Sequence, residues 1–320
     1  MTNVLWLQGG ACSGNTMSFL NASDPTACDL IADFGINLLW HPSLGLELGE
    51  NLQTLLWNCV LGNTPLDILV FEGSVVNAPN GTGEWNRFAD RPMKDWLADL
   101  SKVANYVVAV GDCATWGGIP AMAPNPSESK GLQFLKRSHG GFLGKDFKAK
   151  SGLPVINIPG CPAHPDWITQ ILVAIATGRI GDIAFDELNR PLTFFKTYTQ
   201  TGCTRNIHFA YKASTGEFGQ RKGCLFYDLG CRGPMTHSSC NRILWNRVSS
   251  KTRVGMPCIG CTEPEFPFYD LKPGSVFKTQ TLMGVPKDLP PGVNKTGYAI
   301  LTMVSKDTMP EWAEEDFFTV

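Results

Sequence analysis

Residues 106–113, Tyr-Val-Val-Ala-Val-Gly-Asp-Cys, decide the reading of the fold. Five apolar or aromatic residues without polar alternation read as a strand buried on both faces, the pattern of a parallel sheet covered by helices. A glycine ends the run and a cysteine follows within two residues. Working outward, Val4–Leu7, Ile36–Trp40, Asp67–Phe71 and Pro154–Ile158 are runs of the same kind. Helix candidates lie between them at Asn51–Leu61, Pro92–Val103 and Pro165–Thr177, the last opened by Pro-Asp and stopped by Gly178. Strand and helix in alternation imply an α/β fold, a doubly wound parallel sheet, over residues 1–185. Beyond residue 185 Gly and Pro become frequent and segments shorten. A smaller, loop-rich domain is expected over 186–320, held by something other than a large core.

The chain has 320 residues, 43% of them apolar and 18% charged, enough to bury a core and unlike a disordered tail. Lys and Arg number 27 against 29 Asp and Glu, a net charge of −2 that argues against a nucleic-acid binder. The first basic residue is Arg87, and eight acids precede it. An export signal needs positive charge ahead of an apolar stretch. The longest apolar run near a helix, Ile171–Ala176, is too short to span a bilayer. The expectation is a soluble, cytoplasmic protein without a transmembrane segment, peripheral membrane association remaining open. The tail from Lys272 contains Pro290-Pro291 and the acidic Glu314–Asp316 but no apolar anchor.

Eleven cysteines are present. In a reducing compartment they point to metal binding before disulfides. In a doubly wound sheet, ligands bind outside the carboxyl ends of the strands. Cys12, Cys113 and Cys161 each follow a strand, each with a glycine within two residues before it, which lets the backbone approach a bulky inorganic group. Glu72 ends the third strand at the same edge. It is a candidate proton-handling or cluster-facing group, with a capping or solvated carboxylate as the alternative. Six further cysteines fall between Cys203 and Cys261. Cys240, Cys258 and Cys261 form one set and Cys203, Cys224 and Cys231 another. Structural zinc usually takes four Cys or His ligands. Interleaved sets of three thiolates suit iron–sulfur clusters in series better. Cys28 and Cys59 fall in helical stretches and are read as structural. Ser13-Gly-Asn-Thr16 is similar to the phosphate loop of flavodoxins, which makes FMN binding a minor alternative.

Taken together, the motifs resemble the small, electron-transferring subunit of a nickel–iron hydrogenase. They are Leu5-Trp-Leu-Gln-Gly9 before Cys12, Phe71-Glu-Gly-Ser74, Gly111-Asp-Cys113, Gly160-Cys-Pro162 with Asp166-Trp167, Gly230-Cys-Arg-Gly-Pro234 and Pro257-Cys-Ile-Gly-Cys261. The resemblance covers nearly the whole chain and is closest to cytoplasmic uptake hydrogenases of the cyanobacterial type, with sensory hydrogenases next. It implies a flavodoxin-like domain holding a proximal cluster at Cys12, Cys113 and Cys161, beside a large subunit that bears the Ni–Fe centre. It also implies a second domain with a medial cluster at Cys240, Cys258 and Cys261 and a distal one at Cys203, Cys224 and Cys231.

Departures from the family pattern concentrate at those sites. Asn15 stands where the family has a second proximal cysteine, and Gln200 where it has a distal histidine; both are candidates to complete a shell. Cys224 and Cys231 stand one residue further apart than usual. Each set is left with three thiolates, so the clusters are expected as three-iron or four-iron species. Fewer thiolates mean less negative charge and a higher potential, favouring electron flow away from H2. The resemblance thus implies half of a heterodimer that oxidises H2, passing electrons from proximal to medial to distal cluster and on to an unnamed acceptor. An H2 sensor with the same wiring is the alternative.

Overall fold

A computed structural model describes residues 1–267. The chain divides into two compact units, Met1–Thr193 with Pro264–Phe266, and a second spanning Phe194–Glu263.

The first unit runs β1 (Thr2–Gln8), α1 (Gly14–Leu20), α2 (Ala27–Ala32), β2 (Ile36–Trp40), α3 (Gly49–Leu61), β3 (Ile68–Glu72), β4 (Arg87–Phe88), β5 (Arg91–Pro92), α4 (Met93–Val103), β6 (Tyr106–Val110), α5 (Asp112–Trp116), β7 (Ile156–Ile158) and α6 (Pro165–Ala176). Five strands form a parallel sheet in the order β2-β1-β3-β6-β7, while β4 and β5 pair separately and antiparallel. The strand order reverses between β1 and β3, the switch point at which doubly wound sheets bind their ligands. Pro154 and Val155 stay outside β7; a proline has no N–H to give to a ladder.

Both sheet faces are covered, which explains why the strands lack alternation. Leu5, Leu7, Leu69, Phe71, Val107 and Ala109 share a core with Leu52 and Leu56 of α3 and Trp96, Leu97 and Leu100 of α4. On the opposite face Trp6 packs against Phe19 of α1, with ring centroids 5.1 Å apart, and with Val4 lines one apolar space together with Leu30 of α2 and Leu172 of α6. Each such side chain contributes roughly 1.5–3 kcal/mol by leaving water. The ladder levels the strand ends. Gln8 pairs with Glu72, Glu72 with Val110, and Val110 with Ile158, so four loops leave the sheet from one line.

The second unit contains α8 (Asn206–Ala210) and α9 (Leu225–Leu229), with α7 (Leu192–Phe195) at its start. Its described residues form isolated bridges such as Tyr198 with His237 and Ser214 with Cys224, in place of a sheet. Leu225, Phe226 and Tyr227 make a small apolar cluster with Phe209. Among the described residues no helix is long and apolar enough to cross a membrane. Pro290-Pro291 and Glu314–Asp316 lie outside the described residues.

Candidate functional site

Three of the loops leaving the level sheet edge carry Cys12, Cys113 and Cys161, and hydrogen bonds fasten them together. Gly111 N–H donates to the Ile158 carbonyl at 2.9 Å and Asp112 N–H to the Gly160 carbonyl at 2.8 Å. Asn15, buried at the start of α1, accepts the Ala163 N–H on its Oδ1 at 2.8 Å. Its amide packs against Gly111, where a Cβ would come within 2.2 Å of Asn15 Nδ2. Asn15 therefore sits among the three loops, its oxygen holding the Cys161 segment. Cys12 is exposed and Cys113 and Cys161 are half-buried. Burial pushes the Cys113 thiol well above its usual range, and the neighbouring Asp112, Cys161 and Cys12 add to the effect. Three sulfurs and one buried carboxylate thus share a region.

Lys136 belongs to the same neighbourhood. Its ammonium donates to the Phe266 carbonyl at 2.9 Å and the Gly118 carbonyl at 3.3 Å. Burial pulls its pKa down, while Asp112 and Cys113 pull it up. Asp112 and Lys136 were not read from the sequence as site residues. An Asp beside a cysteine at a strand end is the signal that points to the first; nothing local points to Lys136, which is brought there by a long loop.

Glu72 is fully buried. Its Oε1 accepts the backbone N–H groups of Asn15 at 2.9 Å and Thr16 at 3.2 Å, and its Oε2 accepts Thr16 Oγ1 at 2.5 Å and Trp6 Nε1 at 3.3 Å. The carboxylate caps the first turn of α1 from a neighbouring strand, where negative charge meets the positive helix end. Of the roles open to it in the sequence, capping is the one its geometry displays, and it is not solvated. The same bonds bear on the flavin alternative, because the N–H groups that would hold a phosphate already serve Glu72.

In the second unit Cys203, Cys224 and Cys231 line one cavity with Gln200, Arg205, Phe209, Asn241 and Thr252. The Cys224 sulfur accepts Phe226 N–H at 3.4 Å, and the Cys231 sulfur accepts Gly233 N–H at 3.4 Å and Cys258 N–H at 3.3 Å. Burial pushes Cys224 up to about 12, opposed by the Phe226 N–H, raised further by Cys203 and eased by Arg205 and Lys212. Burial likewise raises Cys231, with Cys258 and Cys224 contributing, and lifts Cys240 to about 11, with Cys258 beside it. Cys231 therefore joins the two interleaved sets. Cys261 follows Cys258 and is half-buried.

Arg205 is nearly fully buried in the cavity wall. Its Nε donates to the Thr252 carbonyl at 2.7 Å and its Nη1 to the Gly223 carbonyl at 2.8 Å. Thr252 Oγ1 in turn accepts the Cys203 thiol at 3.7 Å and donates to Asn241 Oδ1 at 2.8 Å. One guanidinium ties together the segments bearing Cys203 and Cys224. Sequence reasoning missed it, although an arginine two residues after a ligand cysteine in an otherwise buried stretch is a usable signal.

Cys28 is exposed on α2 and Cys59 buried on α3, where burial pushes its thiol up to about 11. Among the described residues no three His, Cys, Asp or Glu side chains close on the position of a single metal ion. Cys203, Cys224 and Cys231 instead line one space, and soft sulfur donors lining a space with backbone N–H groups aimed at them fit an iron–sulfur cluster.

Comparison with known proteins gives two family matches. The family described as NADH ubiquinone oxidoreductase, 20 Kd subunit, matches residues 12–175, and the family of the C-terminal part of the NiFe/NiFeSe hydrogenase small subunit matches residues 195–271. The F420 non-reducing hydrogenase II small subunit of Methanosarcina mazei is 34% identical over 293 residues, 83% of this chain and 73% of the relative. The periplasmic [NiFe] hydrogenase small subunit 1 of Nitratidesulfovibrio vulgaris is 33% identical over 280 residues, 84% of this chain and 82% of the relative. Among solved structures, the actinobacterial-type NiFe-hydrogenase from Ralstonia eutropha H16 superposes with a TM-score of 0.74 at 29% identity, covering 100% of this chain and 94% of that one. The [NiFeSe] hydrogenase from Desulfovibrio vulgaris Hildenborough gives 0.71 at 31% identity, covering 83% and 94%. Sequence match and sheet topology agree, and the chain belongs to the small subunits of nickel–iron hydrogenases.

Proposed function

We propose that this chain relays electrons from the Ni–Fe site of a large subunit to a redox acceptor through three iron–sulfur clusters, in the direction of H2 oxidation. The ligands in this reading are Cys12, Cys113 and Cys161 for the proximal cluster, Cys240, Cys258 and Cys261 for the medial, and Cys203, Cys224 and Cys231 for the distal. The observation that carries it is the cavity that Cys203, Cys224 and Cys231 line with Gln200, in a unit whose described residues include a small apolar cluster of Leu225, Phe226 and Tyr227. A bound cluster supplies a site that takes up and gives up one electron at a time.

The protein's residues do the rest. Asn15 and Glu72 hold the turn after β1, so Cys12 and Cys161 keep their spacing. The N–H groups of Phe226, Gly233 and Cys258 point at ligand sulfurs, and such bonds draw charge from the sulfur and raise the potential. Arg205 and Lys212 act on Cys224 in the same sense. This supports the outward direction. Gln200 lines the distal cavity and in this reading completes that shell, whereas the Asn15 oxygen is already committed to Ala163.

Co-expression with the large subunit and anaerobic purification should yield iron and acid-labile sulfide bound by this chain, with EPR signals from three clusters and H2-dependent dye reduction. Cys224→Ser should remove one signal, and Cys28→Ser none. Stoichiometric zinc without sulfide overturns the cluster reading, and stoichiometric FMN revives the flavin one. Slow turnover with intact clusters would favour H2 sensing over uptake.

A further inference from the structure

Between Phe194 and Glu263 the chain carries ten Lys and Arg against three Asp and Glu, a formal charge of +7 in a protein whose net charge is −2. Glu263 is buried against His237, accepting its backbone N–H at 2.6 Å, and so adds little to the surface. Lys196, Arg221, Lys222, Arg242, Arg247 and Lys251 are exposed. Such a density of like charge repels itself, and a surface that keeps it gains a long-range attraction for anions.

These cations are not scattered. Arg221 and Lys222 lead into Gly223 and Cys224, and the Lys222 carbonyl accepts from Arg205 at 3.4 Å. Arg242 follows Asn241 of the cavity wall and packs over Gly202, where a Cβ would come within 2.6 Å of Arg242 Cγ. Lys251 precedes Thr252 of the same wall. Four exposed cations therefore flank residues that line the cavity of Cys203, Cys224 and Cys231. Phe218 and Val254 are exposed beside them, on loops that meet where Gly219 N–H donates to the Gly255 carbonyl at 2.9 Å. Cations around an apolar contact area match the anatomy of a transient protein interface.

We propose that this rim is the docking face for a one-electron carrier protein with an acidic surface. The proposal rests on the distal-cluster reading above. In the exchange the cluster held by Cys203, Cys224 and Cys231 loses one electron and the redox centre of the carrier gains it; no bond forms or breaks. A lipid surface or nucleic acid would have no need of cations gathered around a thiol-lined cavity, whereas an electron carrier must approach it closely.

The test uses the complex with its large subunit under H2 and two probes with the same haem, native basic cytochrome c and cytochrome c succinylated so that its lysines become carboxylates. The acidic probe should be reduced about tenfold faster at low ionic strength, and the advantage should vanish at high salt. The double variant Arg221→Glu, Lys222→Glu should abolish the preference, leaving cluster EPR signals and the reduction of an uncharged quinone unchanged. A faster basic probe, equal rates at every salt concentration, or an unaltered preference in the variant overturns the docking face while cluster signals persist. Flotation with phosphatidylglycerol vesicles without any probe preference would assign the rim to a membrane and overturn it as well. Absence of cluster signals in the unsubstituted complex would instead refute the ligand reading.

Discussion

Glu72 joins two strands and a helix through four hydrogen bonds, and its burial makes each one costly to lose. In Glu72→Gln the shape is kept, but an NH2 group is turned toward donors and the charge at the helix end is gone. The complex should lose roughly 2–3 kcal/mol of stability, measured as a shift in the denaturant midpoint. Asn15→Ala should cost about 1–2 kcal/mol by orphaning the Ala163 N–H, and should lower iron content, read by elemental analysis. The position of Glu72 at a strand end was legible from sequence, but its role was not. A residue number says where a side chain starts and not which donors fold back to meet it. Asp112 was legible as a neighbour of Cys113 and illegible as a buried charge, because burial comes from loops far along the chain.

Among the elements, the long ones announced themselves. α3, α4 and α6 run long enough to show a period, and their observed bounds differ from the expected ones by no more than two residues. α1 and α5 are seven and five residues long and were not expected, while the six-residue α2 was read only as a helical stretch around Cys28. Helices so short are marginal alone and owe their existence to caps and packing. α2 did carry a signal, the Thr26-Ala-Cys-Asp29 capping box, whose reciprocal bonds are present at 3.1 and 2.8 Å. α1 carried none, since its cap comes from Glu72. The loop between β7 and α6 depends on Gly160, where φ is +150° and a Cβ would lie 2.5 Å from Ala163 Cα. Gly160→Ala should displace Cys161 and weaken one cluster EPR signal selectively. At the start of α6, Asp166 accepts the N–H groups of Ser23 at 2.8 Å and Asp24 at 3.2 Å. Asp166→Ala should cost about 2 kcal/mol, seen as a lower midpoint for thermal unfolding.

For the molecule as a whole, acid is a specific threat. His41 is fully buried, stacked near Trp6 and Phe19, and burial pushes its pKa down to about 4. The unfolded chain takes a proton on this residue near pH 6.5 and the folded one refuses it until about 4, so stability falls as pH drops through that window. The loss should be roughly 2 kcal/mol after allowance for solvent screening, and denaturant midpoints of His41→Phe should be flatter across the same range. Charge distribution separates the units more sharply than composition suggests, because a net of −2 averages over a basic stretch and an acidic remainder. That balance, taken over the whole chain, concealed the basic rim. The contrast between Cys12, open to solvent, and Cys224 and Cys231, beneath the surface, bears on how the protein is made. A delivery protein can hand iron and sulfide to Cys12 on a finished fold. To reach Cys224 or Cys231 it must arrive before the residues that bury them have closed over. Maturation of this unit is then an order of events in which cofactor insertion precedes closure, and a chain that closes first is a dead end.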